Sequence, residues 1–229
     1  DDEPAMQLAA GAKATRRLFS RRQALAEGTV LHDGWIACRE GGVTERLVPL
    51  NSIRLLGEHL IDDVMAATTV ARIAGVSPAA MTTAVESFAG LEHAMELVAE
   101  VGGVRFVNDS KATNVEAAVR SIESFTSGVV AIVGGKYKGG DLRLLRTPIG
   151  GRGKAVVAIG EAKDLVRQAL DDVIEVRDAG SMDDAVRTAF ALARPSGVVV
   201  LAPACASFDM FRDYAERGHR FKEAVQRLV

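Results

Sequence analysis

Apolar and polar positions follow two different rhythms along this chain, and the rhythm changes near residue 90. Before it, short β-branched and aromatic runs are cut by turn residues: 15–20, 29–31, 35–38 and 46–50 read as strands. Asp33-Gly34 sits between two of these runs, which is a hairpin signal, and Gly41-Gly42 makes a second break. Residues 3–13 read as a helix that tolerates Pro4 in its first turn. From His59 onward Leu60, Val64, Ala67, Ala71 and Ala74 recur at helical spacing until Gly75 stops them. Ser77-Pro78 opens another helix, running to about residue 88, with proline at the first helical position.

After Gly90, the expected hinge, strand and helix patterns alternate. Strands are expected at 95–101, 104–107, 129–133, 155–159, 174–176 and 198–201, with helices at 114–124, 161–170, 181–193 and 208–227. Short β-branched runs separated by helices call for an α/β fold, a mostly parallel sheet covered on both faces. A domain boundary is placed near residues 89–91. No internal repeat or low-complexity segment is visible.

One stretch stands out within that pattern. Asn108-Asp109-Ser110-Lys111-Ala112-Thr113-Asn114 follows the run Val104-Arg105-Phe106-Val107 and precedes a helix with apolar residues at Val115, Ala118, Val119 and Ile122. A polar turn between a strand end and a helix start is the usual place for a site in an α/β protein. Thr113 is the expected N-cap, with Glu116 three residues on completing a capping box. Amides at that helix start favour an anion, and Lys111 adds a positive charge. Taken alone, the stretch could equally be turn residues and a cap.

Composition narrows the partners. Of 229 residues, 48% are hydrophobic and 25% charged, and the formal net charge is −2, the balance of an ordinary globular protein with no surface seeking polyanions. Nucleic acid and membrane are therefore not expected partners, and the longest apolar runs are too short to span a bilayer. Cys38 and Cys205 are the only cysteines, far apart and outside any Cys-x-x-Cys, so a reduced, cytoplasmic protein is expected. The chain starts Asp1-Asp2-Glu3-Pro4, without methionine or a signal-like pattern, as expected of a piece of something longer.

The seven-residue stretch resembles the C-terminal-domain motif of the Mur ligases, most closely the branch that adds D-glutamate. Gly134-Gly135-Lys136-Tyr137-Lys138 and Pro203-Ala204-Cys205-Ala206-Ser207-Phe208-Asp209 match that family in the same order. The resemblance runs along essentially the whole chain. It implies that residues 91–229 are the family's C-terminal Rossmann-like domain. Residues 1–90 would be the second half of its central ATPase domain, including the small β-rich patch. The implied reaction joins D-glutamate to UDP-N-acetylmuramoyl-L-alanine in peptidoglycan synthesis. ATP and Mg²⁺ activate the carboxylate as an acyl phosphate, which the amine attacks. Such chemistry needs cations or helix starts for the phosphates and a clamp on the amino acid's own carboxylates.

By the same resemblance, Thr113, Lys138, Ser207 and Tyr214 contact D-glutamate, Lys111 lies on the phosphate side as the catalytic cation, and Asn108 and Asp109 face the nucleotide. Each has a plainer alternative. Ser207 could merely cap the last helix, with Asp209 in that helix's first turn. Lys136 and Lys138 could be ordinary surface lysines, and Tyr214 could be packing on an amphipathic helix. Cys205 reads as a small buried residue and not a nucleophile. His59, His93 and His219 have no metal-ligand spacing, so no metal site is expected.

The sequence departs from the family on its nucleotide side. No Gly-x-x-x-x-Gly-Lys-[Ser/Thr] occurs. Leu60 and Asp63 stand where the family carries asparagines, the latter against adenine. Ala94, in Gly90-Leu91-Glu92-His93-Ala94, replaces an arginine that meets phosphate, and an alanine cannot make that charge-assisted bond. The chain alone is therefore expected to lack ligase activity. The alternative is a non-catalytic binding or scaffold protein derived from the ligase fold. A half-domain would also expose a sheet edge and an apolar face, so a homodimer through residues 1–90 is expected.

Overall fold

The computed structural model describes residues 2–228 and divides into two compact units, Asp1–Ala89 and Gly90–Val229. Asp1 and Val229, the expected outer limits of the two domains, lie outside the described residues.

The first unit opens with α1 (Glu3–Ala9), which Asp2 caps by accepting the Ala5 N–H at 2.8 Å. The helix stops short of the expected residue 13 because none of its residues is buried, and a turn without packing gains little by extending. Of the expected strand 15–20, only β1 (Phe19–Ser20) forms, pairing parallel with β2 (Gly28–His32). β3 (Trp35–Glu40) and β4 (Val43–Pro49) continue the sheet antiparallel, in the order β1-β2-β3-β4. Asp33 and Gly34 both have positive φ, +48° and +79°, and so do Gly41 and Gly42. Two such residues in a row are the signature of a type I′ hairpin turn. α2 (His59–Ile73) ends at Ala74, and Gly75 takes φ +77° beyond it. α3 (Pro78–Ser87) is capped by Ser77, which accepts the Ala80 N–H. Ile36, Leu47, Val48, Val64, Met65 and Met81 form the core between sheet and helices.

The second unit is a six-stranded α/β sheet. β5 (Glu96–Val101) and β6 (Val104–Asn108) form an antiparallel pair. Then come α4 (Val115–Glu123), β7 (Val129–Gly134), α5 (Arg146–Arg152), β8 (Gly153–Ile159), α6 (Lys163–Leu170), β9 (Val176–Asp178), α7 (Met182–Ala193), β10 (Gly197–Leu201) and α8 (Tyr214–Gln226). The sheet order is β5-β6-β10-β7-β8-β9, all parallel after β5. Every residue of β7 is buried, as a central strand covered on both faces requires, which is why Val129 to Val133 read as an unbroken apolar run. Helices α4 to α6 pack together along one face, and α7 and α8 cover the other. Phe106, Ile132, Val157, Val199, Val186 and Phe221 belong to the core on the α7–α8 side.

Three local expectations need correction. α4 is capped by Asn114, not Thr113: the Asn114 side chain accepts the Ala117 N–H at 2.8 Å, and Asn is the stronger cap. The last helix starts at Tyr214, not residue 208, because Asp213 caps it by accepting the Glu216 N–H at 2.7 Å. Ser207 is thus not that helix's cap. Its carbonyl instead accepts Met210 and Phe211 N–H groups in a preceding turn. Finally, α5 forms where no helix was expected, since Pro148, Gly150 and Gly151 mask its buried apolar position Ile149.

Candidate functional site

Parallel order places the carboxyl ends of β6, β10 and β7 side by side, and each of these ends feeds one of the three singled-out motifs. An open α/β sheet forms its crevice outside such strand ends. Backbone bonds lock the three loops to one another. Ala204 N–H donates to Ala112 O at 3.0 Å, and Gly134 N–H to Pro203 O at 2.8 Å. Lys136 and Ala206 exchange bonds both ways, at 2.8 and 3.0 Å. Gly134 and Gly135 have φ of +128° and +126°, and a Cβ on either would overlap the backbone oxygen of Ile159 or Ala206. Only glycine lets the second loop pass so close to its neighbours.

A fourth segment, the start of α8, is tied in by Arg217. This side chain is fully buried. Its guanidinium donates to Ser110 Oγ (3.0 Å), Ser110 O (2.8 Å) and Cys205 O (3.0 Å), bridging the first and third motifs. Burial lowers its pKa to about 10, so it remains charged at neutral pH. Ser110 Oγ in turn donates to Tyr214 O at 2.7 Å. Sequence reading passed over Arg217, though a signal was there: it shares the buried stripe of α8 with Phe221, Ala224 and Val225, and a cation on an apolar stripe asks for partners.

The expected site residues divide sharply. Lys111 and Lys138 are exposed, Thr113 is half-buried, Ser207 is buried, and Tyr214 is 41% exposed. Among the described residues, the side chains of Lys111, Thr113, Lys138 and Ser207 have no hydrogen-bond or ion-pair partner. Lys138 lies close enough to Cys205 to act on its thiol. Asn108 and Asp109, expected to face a nucleotide, are instead committed to the interior. Asn108 Nδ2 meets His93 Nδ1 at 2.9 Å and Glu96 Oε2 at 3.0 Å, while its Oδ1 accepts the Ser110 N–H at 3.1 Å. Asp109 accepts the Met95 N–H and the Ser121 hydroxyl. Both side chains thus spend hydrogen bonds on the protein itself, and Ala94 brings no charge beside them.

Cys205 is buried and its pKa is pushed up to about 11 by that burial, the opposite of what a thiolate nucleophile needs. Asp209 does not sit in a helix. Its Oδ2 accepts the Glu161 N–H at 2.9 Å, and its Oδ1 is buried without a partner among the described residues. No helix among the described residues is long and apolar enough to cross a membrane.

Comparison with known proteins gives consistent relatives. Residues 93–205 match the family described as Mur ligase, glutamate ligase domain. A UDP-N-acetylmuramoylalanine–D-glutamate ligase from Acidobacterium capsulatum is 46% identical over 227 residues, covering 98% of this chain and 49% of that protein. One from Geotalea daltonii is 42% identical over 229 residues, covering 100% of this chain and 50% of that protein. The chain spans about half the length of these curated relatives. Among solved structures, MurF ligase from Thermotoga maritima in complex with ADP superposes with a TM-score of 0.64 at 16% identity, covering 100% of this chain and 53% of that one. A pseudomurein peptide ligase type C from Methanothermus fervidus gives 0.60 at 11% identity, covering 91% and 43%.

Proposed function

The chain belongs to the Mur ligase family, and from that premise we propose that it is the D-glutamate-binding portion of an ATP-dependent ligase that adds D-glutamate to UDP-N-acetylmuramoyl-L-alanine. In this reading residues 91–229 are the family's C-terminal domain and residues 1–90 the second half of its central ATPase domain. The work belongs to peptidoglycan synthesis in the cytoplasm, and the full-length enzyme uses ATP and Mg²⁺.

The observation that carries the reading is the division of the site residues. Three interlocked loops at adjacent strand ends leave Lys111, Thr113, Lys138 and Ser207 with side chains free for a ligand. Two ammonium groups and two hydroxyls suit an anionic amino acid and the phosphate formed beside it. Lys138 and Ser207 hold the side-chain carboxylate, Thr113 and the edge of Tyr214 bound the pocket, and Lys111 sits toward the developing phosphate. Their task is to fix the amine in line for attack, which is an entropic contribution to the rate.

Titration calorimetry of this chain with D-glutamate and L-glutamate tests the reading. Binding of the D form, weakened at least about tenfold by Lys138→Ala, supports it; equal binding of both forms, or none, overturns it. A phosphate-release assay with ATP, Mg²⁺ and UDP-N-acetylmuramoyl-L-alanine then addresses activity. The chain alone is expected to show no D-glutamate-dependent release, and such release would refute the expected inactivity.

A second reading, a non-catalytic binding or scaffold protein, is favoured by the inward commitment of Asn108 and Asp109 and by Ala94. It requires that adding the missing half of the relatives' length in trans restores no ligation. Either reading accommodates a homodimer through residues 1–90, where Val70 and Ile73 of α2 are 66% and 63% exposed.

A further inference from the structure

His93 is buried, and the sequence offered no metal-ligand spacing to give it a task. Its ring lies against α8, with His219 edge-on at 4.7 Å and Tyr214 at 6.2 Å between ring centroids. Its main chain is strained: His93 has φ +65° and Met95 φ +48°, a region that side-chain-bearing residues occupy only when surroundings hold them there. The holding contacts are specific. His93 N–H donates to Glu96 Oε2 at 3.0 Å, His93 O accepts the Lys111 N–H at 3.0 Å, and Met95 N–H donates to Asp109. On the far side Gly218 gives the ring room, because a Cβ there would overlap His93 Nδ1.

The contact of Asn108 fixes the ring's tautomer. Asn108 Nδ2 lies against two fixed acceptors, Glu96 Oε2 and Gly218 O, and against His93 Nδ1. Asn108 Oδ1 faces a donor, the Ser110 N–H. Turning the amide over would set oxygen against oxygen and N–H against N–H, so the orientation stands. His93 Nδ1 is therefore an acceptor and Nε2 carries the proton. This also disposes of a cation site. Glu92, His93 and His219 bring potential ligand atoms within 4.8 Å of one another, but a metal would need the Nε2 lone pair. Glu92 Oε1 is meanwhile engaged by Lys222 Nζ at 2.9 Å.

We propose that His93 is a positioning residue for the amino-acid site: its neutral ring, protonated on Nε2, accepts the Asn108 amide proton and so sets the 108–111 turn that presents Lys111 and Thr113. The loop 93–95 and the motif turn are joined at three points, through the Asn108 amide, the Asp109 carboxylate and the Lys111 backbone. Asn108 is the pivot, since its two amide atoms bind His93 and Ser110. Ser110 passes the constraint to Arg217 and to the start of α8 at Tyr214. A proton on Nδ1 would face the Asn108 amide protons and break the chain at its first link.

The groups facing His93 set when that happens. Burial holds its pKa down, and His219 and Lys222 of α8 act the same way, while Glu92 and Glu96 oppose them. The folded chain therefore keeps the ring neutral below the pH at which an unfolded histidine takes up its proton. Stability bound to this arrangement is whole above the unfolded histidine's midpoint and is lost as pH falls below it and through the lower folded midpoint.

The test uses the chain labelled with nitrogen-15 and follows ring and backbone resonances from pH 8 down to about pH 5. The expected result is an unprotonated Nδ1 and protonated Nε2 at neutral pH. The amides of Asn108, Ser110 and Lys111 should shift with the His93 midpoint, and His219→Gln should leave that shift in place. His93→Gln supplies a carbonyl acceptor that does not titrate. It should abolish the pH shift of those amides and hold D-glutamate affinity within about threefold, while His93→Ala should lower that affinity about tenfold. A protonated Nδ1 at neutral pH, or Ser110 and Lys111 amides indifferent to the His93 titration, overturns the proposal. The proposal rests on the amino-acid-site reading, but the resonances are read without ligand. Failure of D-glutamate to bind at any pH would sink that reading and leave the tautomer result intact.

Discussion

The two units bury different kinds of polar group. The second unit buries Arg217, Asn108, Asp109, Ser110 and His93 together beneath three loops, and nearly every polar atom among them is matched. Of polar side chains, the first unit's described residues bury only small hydroxyls, Ser20, Thr29, Ser52 and Thr68, beside a six-residue apolar cluster, and its ion pairs, such as Arg72 with Glu45 and Arg17 with Glu40, stay near the surface. Exposed pairs contribute little and break with little consequence. Buried, matched networks are costly to disturb, because each lost partner leaves a desolvated group behind. A ligand site needs loops that hold still before the ligand arrives, so it is built where such a network exists.

The largest expected effect breaks that network. Arg217→Ala leaves Ser110 O and Cys205 O without their donor and opens a cavity, and should lower stability by about 4 kcal/mol. Unfolding followed by circular dichroism measures it. Arg217→Lys should recover only part, since one ammonium cannot span three acceptors in the guanidinium's fork. A loss under about 1 kcal/mol for the alanine variant would mean that the buried polar bridge matters no more than a surface pair.

The matching test in the first unit is Met65→Ala, which empties the centre of the six-residue core and should cost about 3 kcal/mol. Trp35, the only tryptophan, lies in β3 of that unit, so its fluorescence reports that unit alone. The variant should shift the fluorescence transition to lower denaturant. Hydrogen exchange at β7 and β10 should stay protected. Joint collapse of both signals would show that the two units unfold as one.

Next comes the cap of α4. Asn114→Ala should cost about 1 kcal/mol, and Thr113→Ala distinctly less, because it is Asn114 that accepts the Ala117 N–H. The reverse order would restore the cap assignment expected from sequence. That assignment shows where legibility ended. The α/β fold was readable because β7 and β10 are unbroken apolar runs, β8 is one from Ala155 onward, and α4 and α7 are strongly two-faced. The Asp33-Gly34 turn was readable because few residues tolerate two successive positive φ values. Caps were not, since Thr113 and Asn114, or Ser207 and Asp213, compete as neighbours, and the winner depends on how the chain arrives from the sheet. The three motifs were legible as motifs. That Asn108 and Asp109 turn inward was not, because their partners His93, Glu96, Met95 and Ser121 come from other elements that only the fold brings near.

The smallest effect on stability is the most informative about the first unit. Val70→Ser with Ile73→Ser alters two exposed side chains on α2, so the folding free energy should move by no more than about 0.5 kcal/mol. Association should respond far more if this face carries the proposed homodimer. Burying two such side chains against a second copy would remove their apolar surface from water on both partners, roughly 1.5 kcal/mol or more for each side chain. Light scattering over a wide concentration range separates the cases. Two chains for the parent and one for the double variant, with unchanged unfolding, would place the contact on α2. One chain for both would remove the dimer and leave Val70 and Ile73 as apolar residues with no partner in the isolated chain. Two chains for both would move the contact elsewhere in the unit, with the edge strand β1 the next surface to alter.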